Sequence, residues 1–289
     1  MMMVNSRLLT VGRIDYANVW PIFFQLPDQG LPAEEIRIVS GVPSVLNHAL
    51  RSGQIDAAGI SSFAYAQNSQ DYFLLPDLSV SAKGRVNSIM LFMKRPLKEV
   101  LEGTIALTDT SATSINLLKI IMQGYYGANP HYITMEPSLD TMLEKADAAL
   151  LIGDPAIKAS WEKSGYEMID LGQLWREWTG YGMTFAVFAV RRELAAAYSG
   201  QIAKLHRLLL ASKEQSLNNL QPLIEKACAE IGGEPAYWQN YFTELHYAFG
   251  EQEQAGLALY FQYAKQMGLL DHEVEMQFWV DQSLTRVNE

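Results

Sequence analysis

Residues 104–126 read TIALTDTSATSINLLKIIMQGYY, a β-branched run followed by a hydroxyl-rich turn and an amphipathic segment. In the amphipathic segment, Ile115, Leu118, Ile121 and Met122 recur at the spacing of one helix face. The stretch therefore predicts a strand, a short loop and the start of a helix. This succession is the building unit of α/β proteins.

The turn in this unit gathers four hydroxyl side chains where the helix begins: Thr110, Ser111, Thr113 and Ser114. The first N–H groups of a helix lack intrahelical partners and lie at the positive end of its dipole. Hydroxyls and amides can therefore converge here on a carboxylate or phosphate. The alternative is an ordinary serine N-cap, which contributes about 1 kcal/mol to helix stability. The turn by itself leaves both interpretations open.

A second unit of similar layout occupies residues 34–67, EEIRIVSGVPSVLNHALRSGQIDAAGISSFAYAQ. It predicts a strand at 36–39, a helix that ends near Gly53, and a second strand that runs into Ser61 and Ser62. Parallel strands that end in small polar turns place those turns along one edge of an open sheet, where α/β proteins bind ligands. The sequence therefore predicts a polar ligand site at the strand ends.

Composition excludes several classes of partner. With 289 residues, of which 49% are hydrophobic, the chain is long enough for two ordinary domains. A formal charge of −10 argues against nucleic acid and anionic membrane surfaces, which favour a basic face. We expect no membrane span, which needs about 20 apolar residues, and no secretion signal at the start of the chain. Oligomeric state is left open.

Recognisable cofactor and metal motifs are missing from the sequence. The five histidines are scattered, and Cys228 is the single cysteine, so we expect no metal site and no disulfide. No GxSxG, Walker-type or GxGxxG motif occurs at a strand-to-helix turn. What remains is a predicted cleft lined with Ser, Thr, Asn and backbone amides.

The order of elements predicts two α/β lobes, the second inserted into the first. We place the first part of lobe 1 at residues 1–95, lobe 2 at 96–187, and the return to lobe 1 with C-terminal helices at 188–289. Two chain crossings between lobes make a hinge, and small ligands bind in clefts between domains. After Arg192 the sequence is helical, with no strand expected.

Many segments together resemble the chorismate dehydratase family of the futalosine route to menaquinone. The resemblance runs from about residue 11 to 270 and is carried by IDYANVWPIFFQL, GVPSVLNHALRSGQIDAAGISSFAY, VNSIMLFMKRPL, DTSATSINLLK, ALLIGDPAIK, DLGQLWREWTGYGMTFAVFAV and YFTELHYAFGEQEQAGLALYFQYAKQMGLL. It implies a periplasmic-binding-protein-like type II fold in a cytoplasmic enzyme. It also implies a lyase reaction, the dehydration of chorismate to 3-[(1-carboxyvinyl)oxy]benzoate, without a cofactor or metal.

The resemblance also implies site residues. Asn18, in the loop after the first strand, is the implied catalytic residue. The residues implied to bind a small carboxylate substrate are Ser61, Ser62, Asn87, Ser88, Ser111, Thr113 and Ser114. Asp154, at the end of a predicted strand, is a further candidate for substrate contact. Two alternatives stay open: Asn18 as an N-cap for the helix entered at Pro21, and Asp154 as an N-cap followed by a first-turn proline.

This chain departs from the family pattern at Ala112, where an arginine is usual. A missing cation weakens carboxylate binding, so we expect Arg85 or Lys83 to compensate, or a substrate with one fewer anionic group. Strong bases are also absent from these loops, where Asp109 and Asp154 are the nearby acids. We therefore expect the enolpyruvyl carboxylate of the substrate to accept the ring proton.

Two other functions are compatible with this sequence. A solute-binding protein of the same fold would hold a carboxylate ligand without chemistry, because fold does not fix function. A related enzyme of the same pathway would act on a cyclic futalosine product. A secretion signal would favour the first of these alternatives.

Overall fold

The computed structural model describes residues 8–26, 32–162 and 165–281. The first seven residues, where we expected no secretion signal, lie outside this described part. The strands are β1 Leu9–Ile14, β2 Ile36–Gly41, β3 Ala57–Ser61, β4 Tyr72–Ala82, β5 Ile89–Met93, β6 Thr104–Thr108, β7 His131–Met135, β8 Ala148–Ile152, β9 Glu167–Asp170, β10 Met183–Arg191 and β11 Leu245–His246.

The helices cover both lobes and form the C-terminal segment. They are α1 Trp20–Phe23, α2 Pro43–Arg51, α3 Ser62–Gln67, α4 Leu97–Val100, α5 Ala112–Gly124, α6 Leu139–Lys145, α7 Gly153–Trp161, α8 Leu171–Thr179, α9 Ser199–Asn218, α10 Gln221–Glu230, α11 Pro235–Glu244 and α12 Glu251–Gln266. Short 3₁₀ turns occupy Ala17–Val19, Ser69–Asp71 and Arg192–Leu194.

The strands form two sheets, one in each lobe. Sheet 1 has six strands in the order β11, β4, β10, β3, β1, β2, and sheet 2 has five in the order β7, β6, β8, β5, β9. In sheet 1, β1 pairs in parallel with β2 and β3, whereas β10 is antiparallel to β3 and β4. The predicted two-lobed α/β organisation with a helical C-terminal segment is confirmed.

Sheet 2 is apolar on both faces, which explains its uninterrupted hydrophobic strands. Along β5, Leu91 faces the main core with Leu150, while Met90 and Phe92 face a smaller cluster with Leu151 on the other side. A strand covered on both faces reads as a continuous apolar run. The main core continues from sheet 1 to the inner face of sheet 2, so one hydrophobic cluster joins the lobes.

Both lobe boundaries predicted from sequence are displaced from the observed crossings. Strand β5, assigned to lobe 1 within residues 1–95, pairs with β8 and β9 of sheet 2. Residues 183–187, assigned to lobe 2, begin β10 of sheet 1. Arg95-Pro96 interrupts the strand pattern in the sequence and so suggested a lobe boundary. In the structure Pro96 only precedes the short helix α4, which lies within lobe 2. The crossings therefore lie between β4 and β5 and between β9 and β10.

The expectation that no strand follows Arg192 is also wrong. The two-residue strand β11 pairs antiparallel with β4, with Leu245 opposite Ala82. A strand this short carries no periodic signal, so the sequence gives no means of recognising it.

Asp170 ties the two crossings together. It is the N-cap of α8, where its carboxylate accepts the Gln173 N–H at 3.0 Å. The same carboxylate accepts the N–H groups of Val86 at 3.0 Å and Asn87 at 2.7 Å, both in the first crossing. Asn87 has a left-handed backbone, with φ of 57°. One buried side chain thus fixes the path of both connections between the lobes.

Helix α12 packs directly onto the second crossing. A Cβ atom at Gly256 would collide with the backbone carbonyl of Gly182. Gly182 is equally close to the first crossing, because its own Cβ would lie 2.7 Å from the Ala82 carbonyl oxygen. The C-terminal segment therefore rests on both crossings at backbone distance.

Gly256→Ala should lower the free energy of unfolding by about 1–3 kcal/mol, because added volume at a close backbone contact forces a shift. Gly200→Ala is the matched control: Gly200 also lies in a helix, and nothing occupies the space around its Cβ. That change should be neutral or stabilising by up to about 1 kcal/mol. Urea denaturation followed by circular dichroism measures both. Equal stabilities for the two variants would contradict the close packing of α12.

Candidate functional site

The two lobes meet at the carboxyl ends of their parallel strands. The Ala17 N–H, after β1, donates to the Asp154 carboxylate, after β8, at 3.1 Å. The Ser44 N–H, at the start of α2, donates to the Thr110 carbonyl, after β6, at 3.2 Å. The polar turns were expected along one edge of one sheet, but they lie at the ends of two different sheets. They face each other across the interface between the lobes.

Asn18 lies in the 3₁₀ turn Ala17–Val19 and carries an unsatisfied polar atom. Its side-chain carbonyl oxygen is buried and has no hydrogen-bond partner among the described residues. The N-cap of α1 is Val19, without a side-chain hydrogen bond, so Asn18 does not cap this helix. A buried unpaired acceptor costs about 1–3 kcal/mol. A ligand that donates to this oxygen would recover that cost.

Asp154 does not have the N-cap role that its Asp-Pro sequence allowed. Helix α7 begins at Gly153 with Ile152 as N-cap, so Asp154 lies within the first turn. Burial raises the pKa of Asp154 to about 6, opposed by the Ala17 N–H and the charge of Lys158. A carboxyl group with this pKa, placed between two lobes, is typical of functional sites.

Gly153 lets the lobes approach closely at this point. It has a φ of 62°, and a Cβ atom there would lie 2.6 Å from the ring of Tyr16. Burial raises the pKa of the Tyr16 phenol, opposed by a hydrogen bond with the Thr110 side chain. Tyr16 therefore packs against two loops of lobe 2 at once.

Ser88 belongs to the same wall of the cleft. Its carbonyl accepts the Gly153 N–H at 2.7 Å, and its buried hydroxyl donates to the Val86 carbonyl at 3.2 Å. The C-terminal segment adds two buried tyrosines, Tyr241 and Tyr247, whose hydroxyls have no hydrogen-bond partner of normal geometry in the described chain.

Sequence reasoning missed Tyr16, Tyr241 and Tyr247. The available signal was their place in the segments IDYANVW and YFTELHY, which carry the family resemblance. The structure thus brings Asn18, Ser88 and Asp154 to one part of the interface, with Tyr16 and Tyr241 beside them.

Asn87 faces the C-terminal helix α11. Its side-chain amide donates to the Glu244 carboxylate, and its backbone carbonyl accepts a hydrogen bond from the Tyr237 hydroxyl at 3.3 Å. Together with the bond from its N–H to Asp170, these contacts engage Asn87 on three sides.

Ser61 and Ser62 make structural hydrogen bonds at the end of β3. Ser61 exchanges two bonds with the Asn47 side chain, at 3.1 and 3.2 Å. The Ser62 hydroxyl donates to the Thr184 carbonyl at 2.8 Å. Both side chains are buried, and each fixes the junction between β3 and α3.

The hydroxyl-rich turn before α5 also bonds within the protein. Ser111 is the N-cap of α5, and its hydroxyl oxygen accepts the Ser114 N–H at 3.2 Å, which confirms the N-cap interpretation. The Ser111 hydroxyl also donates to the Ser114 hydroxyl at 3.1 Å. The Thr113 hydroxyl oxygen accepts the Phe63 N–H of lobe 1 at 3.1 Å. These residues connect the lobes and cap the helix.

Ala112 lines a surface pocket between α2 and α5. Arg51 of α2 lines the same pocket, as does Asp109. Lys83 lines a different pocket beside α12, and Arg85 is not among the residues that line the Ala112 pocket. Among the described residues, the one lysine or arginine that lines this pocket, Arg51, therefore comes from lobe 1.

Within residues 8–26, 32–162 and 165–281, no group of three or more His, Cys, Asp or Glu side chains is arranged to hold a metal ion. No helix there combines the length and apolar character needed to cross a bilayer.

The fold is similar to known periplasmic-binding-protein-like structures. A structural-genomics protein from Archaeoglobus fulgidus superimposes with a TM-score of 0.74 at 20% identity, covering 92% of this chain and 100% of that one. The alkanesulfonate-binding protein of Xanthomonas axonopodis pv. citri gives a TM-score of 0.71 at 16% identity over 93% of this chain and 96% of its own. At these identities the likeness shows the fold alone, and the periplasmic-binding-protein-like fold is confirmed.

Sequence relatives are more specific. A chorismate dehydratase from Thermus thermophilus is 32% identical over 278 residues, which is 91% of this chain and 96% of the relative. A chorismate dehydratase from Campylobacter jejuni is 31% identical over 62% of this chain and 66% of its own length. A 1,4-dihydroxy-6-naphtoate synthase from Thermus thermophilus is 24% identical over 78% of this chain and 81% of its own.

A family model described as menaquinone biosynthesis matches residues 9–266, which include both lobes and the C-terminal helices α9–α12. With this match and the extended identity to the Thermus relative, the chain belongs to the chorismate dehydratase family of menaquinone biosynthesis enzymes.

Proposed function

We propose that this chain is a chorismate dehydratase, a carbon-oxygen lyase that converts chorismate to 3-[(1-carboxyvinyl)oxy]benzoate in the cytoplasm. The observation that carries the proposal is the 32% identity to the Thermus chorismate dehydratase over 91% of the chain. The naphtoate synthase relative is less similar, at 24% identity. The local geometry of the cleft supports the same reaction.

The reaction removes one water molecule and no electrons. The ring carbon that bears the enolpyruvyl ether loses its proton, the neighbouring carbon loses hydroxide, and the electron pair of the C–H bond completes the aromatic ring. The protein therefore has to orient the substrate, provide a proton acceptor and stabilise the departing hydroxyl. Aromatisation of the ring favours the product.

Asn18 is suited to hold the reacting part of the substrate. Its buried carbonyl oxygen has no partner among the described residues, and its amide can donate as well as accept. Ser88 lies across the interface, within the wall that also carries Asp154. We assign Asn18 to the departing hydroxyl and Ser88 to a substrate oxygen.

The other predicted binding residues hold the strand ends and helix starts around the site. Ser61, Ser62, Asn87, Ser111, Thr113 and Ser114 already form hydrogen bonds inside the protein. Direct contact between these side chains and the substrate remains a prediction from the resemblance. Their observed bonds hold the strand ends and the first turn of α5 in the positions that bring the lobes together.

We assign proton transfer to the substrate's own enolpyruvyl carboxylate, with Asp154 as a positioning residue. One Asp154 oxygen accepts the Ala17 N–H and so holds the turn that carries Asn18. The competing mechanism uses Asp154 as the base, since its pKa of about 6 is well placed for proton transfer. Replacement of Asp154 by two different residues distinguishes these roles.

Purified protein mixed with chorismate should yield an aromatic dicarboxylic acid lighter than chorismate by one water, detected by mass spectrometry. Asn18→Ala should lower kcat/KM by at least about 100-fold, a loss typical of removing one group that stabilises the departing oxygen. Chorismate that binds but persists would identify a solute-binding protein. Chorismate that neither binds nor reacts would point to another substrate of the pathway.

Asp154→Asn should keep kcat within about tenfold of wild type, because the amide oxygen can still accept the Ala17 N–H. Asp154→Ala should lose more, since it also releases the turn. A general base typically raises the rate about 10²–10⁴-fold. If Asp154 were the base, both variants would therefore lose that much activity. The dependence of kcat on pH provides a second test: loss of an acidic limb near pH 6 in Asp154→Asn would assign the base to Asp154.

Asp154 should also make stability depend on pH. Its pKa is raised from 3.8 to about 6 in the folded protein, so the folded state retains a proton that the unfolded state has lost. The contribution of this group to the free energy of unfolding therefore falls as pH rises from about 4 to 6, and it is constant above pH 6. Asp154→Asn should gain up to about 3 kcal/mol over wild type at pH 7.5.

Urea denaturation at pH 4 and pH 7.5 measures this gain as a difference between the two proteins. At pH 4 the two proteins should be nearly equal, since the wild-type carboxyl is then largely protonated in the folded state. A constant difference between the variants at both pH values would show that Asp154 is not desolvated.

A further inference from the structure

The C-terminal segment presents two buried phenols to the wall of the cleft. Tyr241 lies on α11 and Tyr247 directly after β11, and their side chains are 1% and 2% exposed. Neither hydroxyl has a hydrogen-bond partner of normal geometry among the described residues. Buried polar groups are nearly always paired, so two unpaired hydroxyls close together need a physical reason.

Helix α11 brings Tyr241 to the interface between the lobes, because Tyr237 of the same helix donates its hydroxyl to the backbone carbonyl of Asn87 at 3.3 Å. The Tyr241 hydroxyl lies beside the Ser88 side chain and within electrostatic range of Tyr247 and Asp154. The Ser88 carbonyl in turn accepts the Gly153 N–H at the start of α7. Tyr241 therefore lies next to Ser88, with Tyr247 as its neighbour in the C-terminal segment.

Surrounding structure holds both tyrosines firmly. Trp238, one turn before Tyr241 on α11, donates its indole N–H to the Gly232 carbonyl at 2.7 Å. The Tyr247 carbonyl accepts the Ser79 N–H of β4 at 3.1 Å, which continues the pairing of β11. Rigid donors of this kind bind a ligand without first losing side-chain freedom.

The chemistry of the two phenols favours hydrogen-bond donation over proton transfer. Burial raises the pKa of Tyr241 and of Tyr247 well above the ordinary value of a phenol, so both keep their protons at neutral pH. A weak acid is a poor proton donor in a reaction, but its O–H can still bond to an anionic oxygen. Chorismate carries two carboxylates, so anionic oxygens are available to such donors.

We propose that the hydroxyls of Tyr241 and Tyr247 donate hydrogen bonds to one carboxylate of the substrate. This proposal rests on the proposed function, because chorismate supplies the dicarboxylate. The tyrosines then act as neutral anion-binding residues, and the C-terminal segment contributes directly to substrate affinity.

Tyr241→Phe and Tyr247→Phe should each raise KM for chorismate about 10- to 100-fold, the effect expected for a hydrogen bond to a charged group. Their kcat should stay within about fivefold, because the carboxylate is bound equally in the ground and transition states. The double variant should lose less than the product of the two single losses, since both hydroxyls hold one carboxylate. Unchanged affinity in both single variants would overturn the proposal, and so would a loss confined to kcat.

Tyr65→Phe is the matched control. Tyr65 is also buried, but its hydroxyl donates to the Glu275 carbonyl at 3.2 Å and accepts the Gln277 N–H at 3.1 Å. This variant should unfold at lower urea concentration with unchanged KM, whereas the two cleft variants should unfold at or above the wild-type midpoint. A loss of stability in the cleft variants equal to that of Tyr65→Phe would show a structural role and overturn the proposal.

Calorimetric titration of chorismate separates this proposal from the reaction itself. If wild type binds chorismate without converting it, the lyase assignment fails, yet the tyrosine variants should still bind at least about tenfold more weakly. If wild type converts chorismate and the variants bind it with wild-type affinity, the lyase assignment holds and the tyrosine proposal fails.

Discussion

The carboxylate of Asp170 is bonded to both connections between the lobes. It caps α8 after the second sheet ends and accepts two N–H groups of the first crossing, at Val86 and Asn87. Burial raises the pKa of Asp170, while these N–H groups act against the shift and favour the charged form. Because the next residue, Ser88, bonds to Gly153, the geometry fixed at Asp170 extends directly to the wall of the cleft.

The cleft itself contains features that folding alone does not favour. Among the described residues, an asparagine oxygen and two tyrosine hydroxyls are buried without a hydrogen bond of normal geometry, and burial raises the pKa of Asp154 to about 6. Each of these lowers stability, and such costs are tolerated where a ligand later satisfies them. The concentration of these features at the lobe interface is the physical basis for placing the substrate there.

The sequence was sufficient for the fold class and for the polar turns, because periodic apolar segments and hydroxyl-rich strand ends are local signals. It failed at the lobe boundaries, since the apolar strand β5 can join either sheet and only its partners decide. Periodicity does not identify Tyr241 and Tyr247, for a similar reason. They join the cleft through the pairing of β11 with β4, about 160 residues earlier in the chain, and a two-residue strand has no pattern.

The position of β10 in the middle of sheet 1 has a consequence for synthesis of the chain. Sheet 2 is formed from residues 89–170 alone, so all its strands are available once that stretch has been made. Sheet 1 lacks the strand between β3 and β4 until residue 191 is in place. Because domains fold as units during synthesis, the inserted lobe can complete its fold first. The lobe that begins the chain then closes around it, with β3 and β4 exposed as sheet edges in the interval.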